Sequence, residues 1–292
     1  MSSLTNIYNL PDAIFQAVKN DPYKGGGDIS VTKLIDSPQR RTLIKKHHES
    51  IVEDVSDRIW SLLGQAVHTI LERANKSDIV EDRLYAQVNG WSLSGQFDRM
   101  DLHGATLDDY KVTGVYKAMT GDVKDWTWQL NVLRWLALQN GYKVEGLRII
   151  AILRDWKKSE SQRKEGYPQT PIITIPIEVL PDEVVYQYIC ERISLHQAAS
   201  AGETVLCTDD ERWYEGTKWA LIKKGNKRAT RVYENQDDIE SPIPDGFFIE
   251  ERKGGYKRCA EYCEVAKFCP QYALPNAGEV SDAAFWAIVD GD

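Results

Sequence analysis

The stretch Gly95–Val112, GQFDRMDLHGATLDDYKV, decides how this chain is read. His103-Gly104 is a two-residue turn signal between strand-like runs, which predicts a hairpin whose paired positions sum to 207. Leu102 then faces Ala105, and Asp98 faces Asp109 with Cβ atoms about 5 Å apart. Lys111, two residues beyond Asp109, projects from the same face, where Ser92, Ser94 and Gln96 join it. Trp91, Leu93 and Phe97, with Tyr110 and Val112 across from them, form the other face, the natural core side. A bulge in either strand would break this register. Facing carboxylates repel unless they share a proton or a cation, and hard cations such as Mg²⁺ bind one or two carboxylates while keeping several waters. A lysine beside such a cation neutralises charge developing on a phosphate. The same three residues are equally well explained as solvated charges on a strand.

Working outward, Asn89-Gly90 is a second hairpin signal, so the region reads as a three-strand meander. Upstream, Leu63–Ala74 has helical periodicity, with Leu63, Val67, Ile70, Leu71 and Ala74 on an apolar face. Gly64, His68 and Glu72 fall at i, i+4 and i+8 of that helix. A lone helical histidine is more often a surface or core residue than a ligand, but Gly64 leaves room for another segment or a phosphate backbone to approach. Downstream, a helix is expected over Asp125–Asn140, a buried strand over Leu147–Leu153 and a helix over Pro181–Ala199 that packs Cys190 as a core thiol. Residues 1–60 read as amphipathic helices broken by the Gly25–Gly27 loop, and 203–272 change character, with Cys, Trp, Lys, Arg and Gly. The expected fold class is α/β: a mixed central sheet flanked by helices over 61–200, an N-terminal helical segment over 1–60 and a cysteine-bearing extension over 201–292.

Composition narrows the function classes. The 292 residues carry 36 Lys+Arg against 44 Asp+Glu, a net charge of −8, which argues against a general nucleic-acid coat but not against an enzyme that grips nucleic acid locally. No apolar run approaches a membrane span, and MSSLTNIYNLPD lacks the basic and apolar regions of a signal peptide, so a cytoplasmic location is expected. Two stretches are basic without acids: Arg40, Arg41, Lys45 and Lys46 followed by His47 and His48, and Lys218, Lys223, Lys224, Lys227, Arg228 and Arg231. Trp213, Trp219 and Tyr233 flank the second, so it is the candidate surface for phosphate contact with base stacking, the alternative being a solvated charged face. All five cysteines lie beyond residue 189, and in a reducing compartment such clustering points to metal or redox chemistry.

Taken in order, GQAVH (Gly64–His68), GQFD (Gly95–Asp98), DYK (Asp109–Lys111) and QLNVLRW from Gln129 resemble the motifs of the PD-(D/E)XK nuclease superfamily. The nearest flavour is the RecB-type branch, which includes phage or prophage exonucleases and CRISPR-adaptation nucleases. The resemblance spans roughly residues 60–155 and implies a restriction-endonuclease-like core. It also implies that His68, Asp98, Asp109 and the Tyr110 carbonyl hold Mg²⁺ or Mn²⁺, that Lys111 is the catalytic lysine, and that Gln129 positions the site or DNA. Many members carry Tyr four residues after that glutamine, where this chain has Leu133. Glu72 has no match in the motifs and reads as a peripheral residue.

Cys259, Cys263 and Cys269 form a tight cluster, with Cys207 upstream, and four thiolates hold either zinc or an iron–sulfur cluster. No CxxC knuckle is present, and RCAEYCEVAKFC resembles the C-terminal clasp of iron–sulfur RecB-type nucleases. In several relatives the distant cysteine lies near the N-terminus. Here the comparable SPQRR has Ser37, so Cys207, within CTDDERW, is expected to complete a 4Fe–4S site, with zinc as the alternative. The expected function is metal-dependent DNA exonuclease activity in phage or prophage recombination or DNA processing, alongside a recombination or single-strand-annealing partner. Alternatives are an endonuclease or CRISPR-adaptation-type nuclease, and a catalytically silent, zinc-stabilised DNA-binding adaptor. The terminal segment holding Phe285, Trp286, Ile288 and Val289 is expected to dock on the protein's own body or on a partner.

Overall fold

The computed structural model describes residues 3–20, 25–74, 79–80, 82–121 and 123–273, so the terminal segment lies outside the described residues. They divide into two units, one drawn from Met1–Thr42 and His48–Val205, the other from Leu43–His47 and Leu206–Asp292. Strands of the first unit are β1 (Ser3–Thr5), β2 (Ile29–Ser30), β3 (Val52–Asp54), β4 (Ile79–Val80), β5 (Arg83–Val88), β6 (Trp91–Gln96), β7 (Arg99–Asp101), β8 (Thr106–Thr113), β9 (Gly146–Leu153) and β10 (Ile172–Ile177). Helices up to residue 200 are α1 (Asp12–Lys19), α2 (Val31–Leu34), α3 (Pro38–His47), α4 (Ile59–Ala74), α5 (Val115–Met119), α6 (Lys124–Gln139), α7 (Lys158–Ser161) and α8 (Asp182–Ser200). The main sheet has the order β10-β9-β8-β7-β4, with β8 and β9 parallel and the other pairs antiparallel. A smaller sheet, β2-β6-β5, lies beside it in sequence. The first unit is therefore the mixed α/β core with flanking helices that the sequence predicts.

The hairpin register is as read: Arg99 pairs with Asp108, Met100 with Leu107 and Asp101 with Thr106. The loop is wider by one pair, because Asp101 Oδ1 accepts from the backbone N–H of His103 at 3.0 Å and of Gly104 at 2.9 Å, and Ala105 takes a positive φ of 47°. Asn89-Gly90 makes the expected two-residue turn, with φ of 48° and 77°. The meander, however, is not one sheet. At Phe97-Asp98 the chain leaves β6 in the small sheet and enters β7 in the large one. Phe97 is fully buried there, and Asp98 takes the place of a ladder partner: its Oδ2 accepts from the Tyr110 N–H at 2.6 Å.

This break corrects the assignment of faces. Ser92, Ser94 and Gln96 do not share a face with Asp98; Ser92 and Ser94 bond the segment around Gly26 and Asp28, and Gln96 bonds Arg83. In the main sheet the core side carries Leu107 and Asp109 with Leu147, Ile149, Ala151 and Leu153 of β9, whereas Tyr110 and Val112 are only half-buried on the other side. Leu130, Leu133 and Leu136 of α6 cover the core side. Gly95 permits that closeness, since a Cβ there would stand 2.5 Å from Leu133 Cδ2 and 2.7 Å from Leu136 Cδ1. Helix α4 departs from expectation in the other direction: none of its residues is buried, and Trp60, Leu63 and Ile70 are exposed. The N-terminal 60 residues are helical in α1–α3, but they also supply β1 and β3, which pair in parallel, and β2, which pairs with β6.

Helix α8 buries His196, whose Nε2–H donates to the Leu34 carbonyl at 3.2 Å. Burial pulls its pKa down to about 4, and the charges of Arg192 and Arg41 assist. The unfolded chain takes up this proton near pH 6.5 and the folded chain only near 4, so the contribution to stability is complete above 6.5 and falls as pH drops. Urea unfolding of the parent against His196→Gln should therefore show the parent's relative stability falling by about 1–2 kcal/mol between pH 7.5 and 5. A difference independent of pH would refute this.

The second unit holds α9 (Asp209–Arg212), α10 (Pro270–Ala273) and the antiparallel sheet β12-β11-β13, built from β11 (Lys218–Lys223), β12 (Arg231–Tyr233) and β13 (Phe247–Arg252). Among the described residues no helix is long and apolar enough to cross a membrane.

Candidate active site

The sequence signals converge where β8, α4 and α6 meet in the first unit. Asp109, on the core side of β8, is 3% exposed. Gln129, one turn into α6, donates from Nε2 to Asp109 Oδ1 at 3.0 Å. The Lys111 ammonium lies 2.6 Å from Asp109 Oδ2, off the line of a good hydrogen bond, and Lys111 remains half-exposed. His68 of α4 bridges two oxygens: Nδ1 stands 3.3 Å from Asp98 Oδ1, and Nε2 lies 3.1 Å from the Tyr110 carbonyl, to which it donates. The expected residues His68, Asp98, Asp109, Tyr110, Lys111 and Gln129 thus form one chain of contacts, from α4 through β8 to α6.

The electrostatics follow from placing a carboxylate in a core. Burial, aided by the Asp98 charge and opposed by Lys111 and His68, leaves the Asp109 pKa raised to about 6. Two carboxylates, an imidazole and a main-chain carbonyl make a donor set of mostly hard oxygen, the kind that suits a small divalent cation. Among the described residues, though, no three His, Cys, Asp or Glu side chains converge closely enough to cage a metal as they stand. His68 is turned onto Asp98 and Tyr110, and Lys111 onto Asp109. Glu72 is exposed, as its lack of a match suggests, and Leu133 is a buried core residue rather than a site residue.

No family model and no curated protein matches this chain. Solved structures do. The protein SSO0001 is similar over 69% of this chain and 90% of its own, at 16% identity and a TM-score of 0.46. A phage-related exonuclease from Haemophilus somnus 129PT is similar over 64% of this chain and 79% of its own, at 13% identity and a TM-score of 0.30. A protein from Eubacterium rectale with an exonuclease designation is similar over 64% of this chain and 73% of its own, at 13% identity and a TM-score of 0.33.

The adjoining Asp108 is a residue that the sequence reading passed over. It points to the opposite side of β8, is 1% exposed, and is held by Arg99 Nη1 and by Arg148 Nε at 2.7 Å. It adjoins Asp109 in sequence, yet the strand period sends the two side chains to opposite sides of β8.

In the second unit, Gln271 ties Cys207 to the turn after Cys269: the Cys207 N–H donates to Gln271 Oε1 at 3.0 Å, and Gln271 Nε2 donates to the Cys207 carbonyl at 2.9 Å. The Cys269 thiol has its pKa raised by burial and further by Cys259, while the N–H groups of Tyr272 and Gln271 and the Arg212 guanidinium oppose the rise. Amide and guanidinium donors aimed at a thiol are the surroundings a metal-bound thiolate uses. Cys190, as expected, packs partly buried against the core of the first unit.

The second basic stretch is divided. Lys223, Lys224, Lys227 and Arg228 are exposed at the end of β11 and the turn after it, and no ion pair engages them among the described residues. Arg231 is committed to Glu240 at 2.9 Å and Lys218 to Glu234 at 3.1 Å, so both are weaker candidates for phosphate contact than the sequence suggests. Tyr233 is buried, which removes it from any stacking surface, whereas Trp213 is exposed. The first stretch is largely structural: Arg40 pairs with Asp36, and Arg41 Nη2 donates to the Asp28 carbonyl at 2.9 Å.

Proposed function

We propose that this chain is a metal-dependent nuclease that hydrolyses DNA phosphodiester bonds from an end, in phage or prophage recombination or DNA processing. The observation that carries this reading is the joining of Asp109, Lys111 and Gln129 at a buried carboxylate, with Asp98 and His68 on the main chain of the adjoining Tyr110. Asp98, Asp109, His68 and the Tyr110 carbonyl would hold Mg²⁺ or Mn²⁺, which supplies an activated water and charge neutralisation when bound. Gln129 fixes the plane of the Asp109 carboxylate. The Tyr110 N–H does the same for Asp98. Lys111, half-exposed beside Asp109, presents a positive charge to an incoming phosphate and to the negative charge that develops during hydrolysis.

Cys207, Cys259, Cys263 and Cys269 would hold a 4Fe–4S cluster, or zinc, as a structural clasp of the second unit. The Gln271 clamp on Cys207 and the donors around Cys269 support that assignment. Exposed Lys223, Lys224, Lys227 and Arg228 are the proposed phosphate contacts of that unit. A recombination or single-strand-annealing protein is the proposed partner.

The test is anaerobic purification with metal analysis, then incubation with end-labelled linear and closed-circular DNA. Mononucleotide release from linear DNA that needs Mg²⁺ or Mn²⁺ and stops with a chelator is the expected result. Cutting of closed circles would replace the exonuclease by an endonuclease. Binding without cutting, in a zinc-containing protein, would leave the silent adaptor.

A further inference from the structure

A cleft of about 580 Å³ opens in the first unit between β5, α6 and α8, and it shares no residue with the candidate active site. Its size is that of a ligand site. Strand β5 contributes Tyr85, Ala86 and Gln87, three residues in a row. Successive side chains leave a strand on opposite faces, so the cleft meets β5 along its edge rather than over one face. That edge is the outer one, because β5 is the last strand of β2-β6-β5. The turn at Asn89-Gly90 closes Val88 onto Trp91, so Leu84, Ala86 and Val88 turn their main-chain groups to β6, and Tyr85 and Gln87 turn theirs away. Asn140 Nδ2 donates to the Tyr85 carbonyl at 3.1 Å. Among the described residues, the N–H and carbonyl of Gln87 have no hydrogen-bond partner.

The two helices supply the rest of the lining. Trp135 of α6 is buried and Tyr186 of α8 is 47% exposed, and their rings stack at 5.6 Å with 18° between planes. Beside them, exposed Asp182 and Glu183 open α8. Arg134 neutralises Asp182, whereas among the described residues no ion pair engages Glu183. These features select the occupant by charge. A phosphate-bearing ligand would meet Glu183 as a like charge, and a purely apolar one would desolvate it without compensation. A planar cation satisfies both parts of the lining: a guanidinium lies flat on an aromatic ring and forks onto a carboxylate. The open main chain of Gln87 adds a second demand, since a free strand edge takes an extended segment by main-chain hydrogen bonds.

We infer that this cleft is a docking site for an extended, arginine-bearing segment of a partner protein. The segment adds to the edge of β5 through Gln87. Its arginine side chain enters the cleft, with the guanidinium on the ring of Tyr186 and its N–H groups on Glu183. Lysine suits the site less well, because an ammonium neither stacks nor forks. The site is independent of the nuclease reading, whose residues lie on β8, α4 and the first turns of α6.

The test titrates the full chain with a short acetylated, amidated peptide of alternating valine and threonine around a central arginine. The readout is the NMR signal of the Trp135 indole N–H, identified by its loss in Trp135→Phe. A saturable shift is expected. Replacing the arginine by its uncharged isostere citrulline should weaken binding about tenfold, and replacing it by lysine should weaken it about threefold. Glu183→Gln should cost about threefold and Tyr186→Ala about tenfold, with Tyr186→Phe restoring binding. Methylating the peptide nitrogens along one edge should weaken binding where that edge pairs with Gln87, and methylating the other edge should not. Urea unfolding of each variant shows that it is folded. No saturable shift with the arginine peptide would overturn the inference, as would equal affinity for the citrulline peptide. Binding indifferent to both Glu183→Gln and Tyr186→Ala would do so too. A shift with adenosine monophosphate and none with the peptide would make the cleft a nucleotide site and overturn it likewise.

Discussion

Lys111→Ala and Asp109→Asn are each expected to lower Mg²⁺-dependent DNA hydrolysis by a factor of about a hundred to a thousand, the scale seen when one preorganised charge or donor is removed from a reacting phosphate or carbonyl. The two variants should part company in stability. Asp109 has its pKa raised to about 6 by burial, so the folded chain binds its proton more tightly than the unfolded one. Such a group contributes stability at low pH that is lost as pH rises from about 4 to 6. At pH 8 an amide in its place removes a buried charge and can still meet Gln129, so Asp109→Asn should unfold at the same urea concentration as the parent or higher. That advantage should vanish below pH 4. Lys111→Ala removes the cation 2.6 Å from the same carboxylate and should lower stability at pH 8. An inactive Asp109→Asn chain that is also less stable than the parent at pH 8 would mean that Asp109 is a packing residue. An active one would remove the nuclease proposal.

The site was legible because its signals are local and periodic. A turn at His103-Gly104 fixes a register, and a period of two then puts Asp109 and Lys111 on one side of β8. The pairing of Asp98 with Asp109 was reached by extending that register past the end of β7. The structure puts Asp98 close by for another reason, its carboxylate taking the Tyr110 N–H where the ladder stops. A break of this kind is set by how Phe97 packs, and Phe97 packs against residues distant in sequence. Which side of the sheet α6 would cover was equally a tertiary matter, and it inverted the expected core face. The exposure of Trp60, Leu63 and Ile70 could not be read from an apolar pattern, since periodicity identifies a stripe but not whether anything covers it. Likewise the basic residues of 218–231 were counted correctly, but Glu234 and Glu240, which engage two of them, lie outside the stretch.

Asp108 shows how much one residue of register is worth, and it carries the largest stability effect expected in this chain. Its side chain is 2% exposed and faces two guanidinium groups, Arg99 and Arg148, the latter through Nε at 2.7 Å and Nη2 at 2.9 Å. Removing the carboxylate leaves both cations facing each other across β7, β8 and β9. Arg99 is 24% and Arg148 34% exposed, so water relieves part of that repulsion. Breaking such a pair from one side costs about 3 kcal/mol after that relief, a fall of roughly 6–12 °C in the thermal midpoint. Asp108→Ala should therefore lose stability, measured by urea unfolding and calorimetry, yet keep its hydrolytic activity per folded molecule, because Asp108 touches none of His68, Asp98, Lys111 or Gln129. Asp109→Asn should do the reverse. A stable Asp108→Ala chain, or an inactive one that is fully folded, would break this assignment. Two identical side chains, adjacent in LDDYK, thus divide the work by strand period alone: one neutralises the outer side of the sheet, and the other is left charged in the core, where only a cation or a proton can settle it.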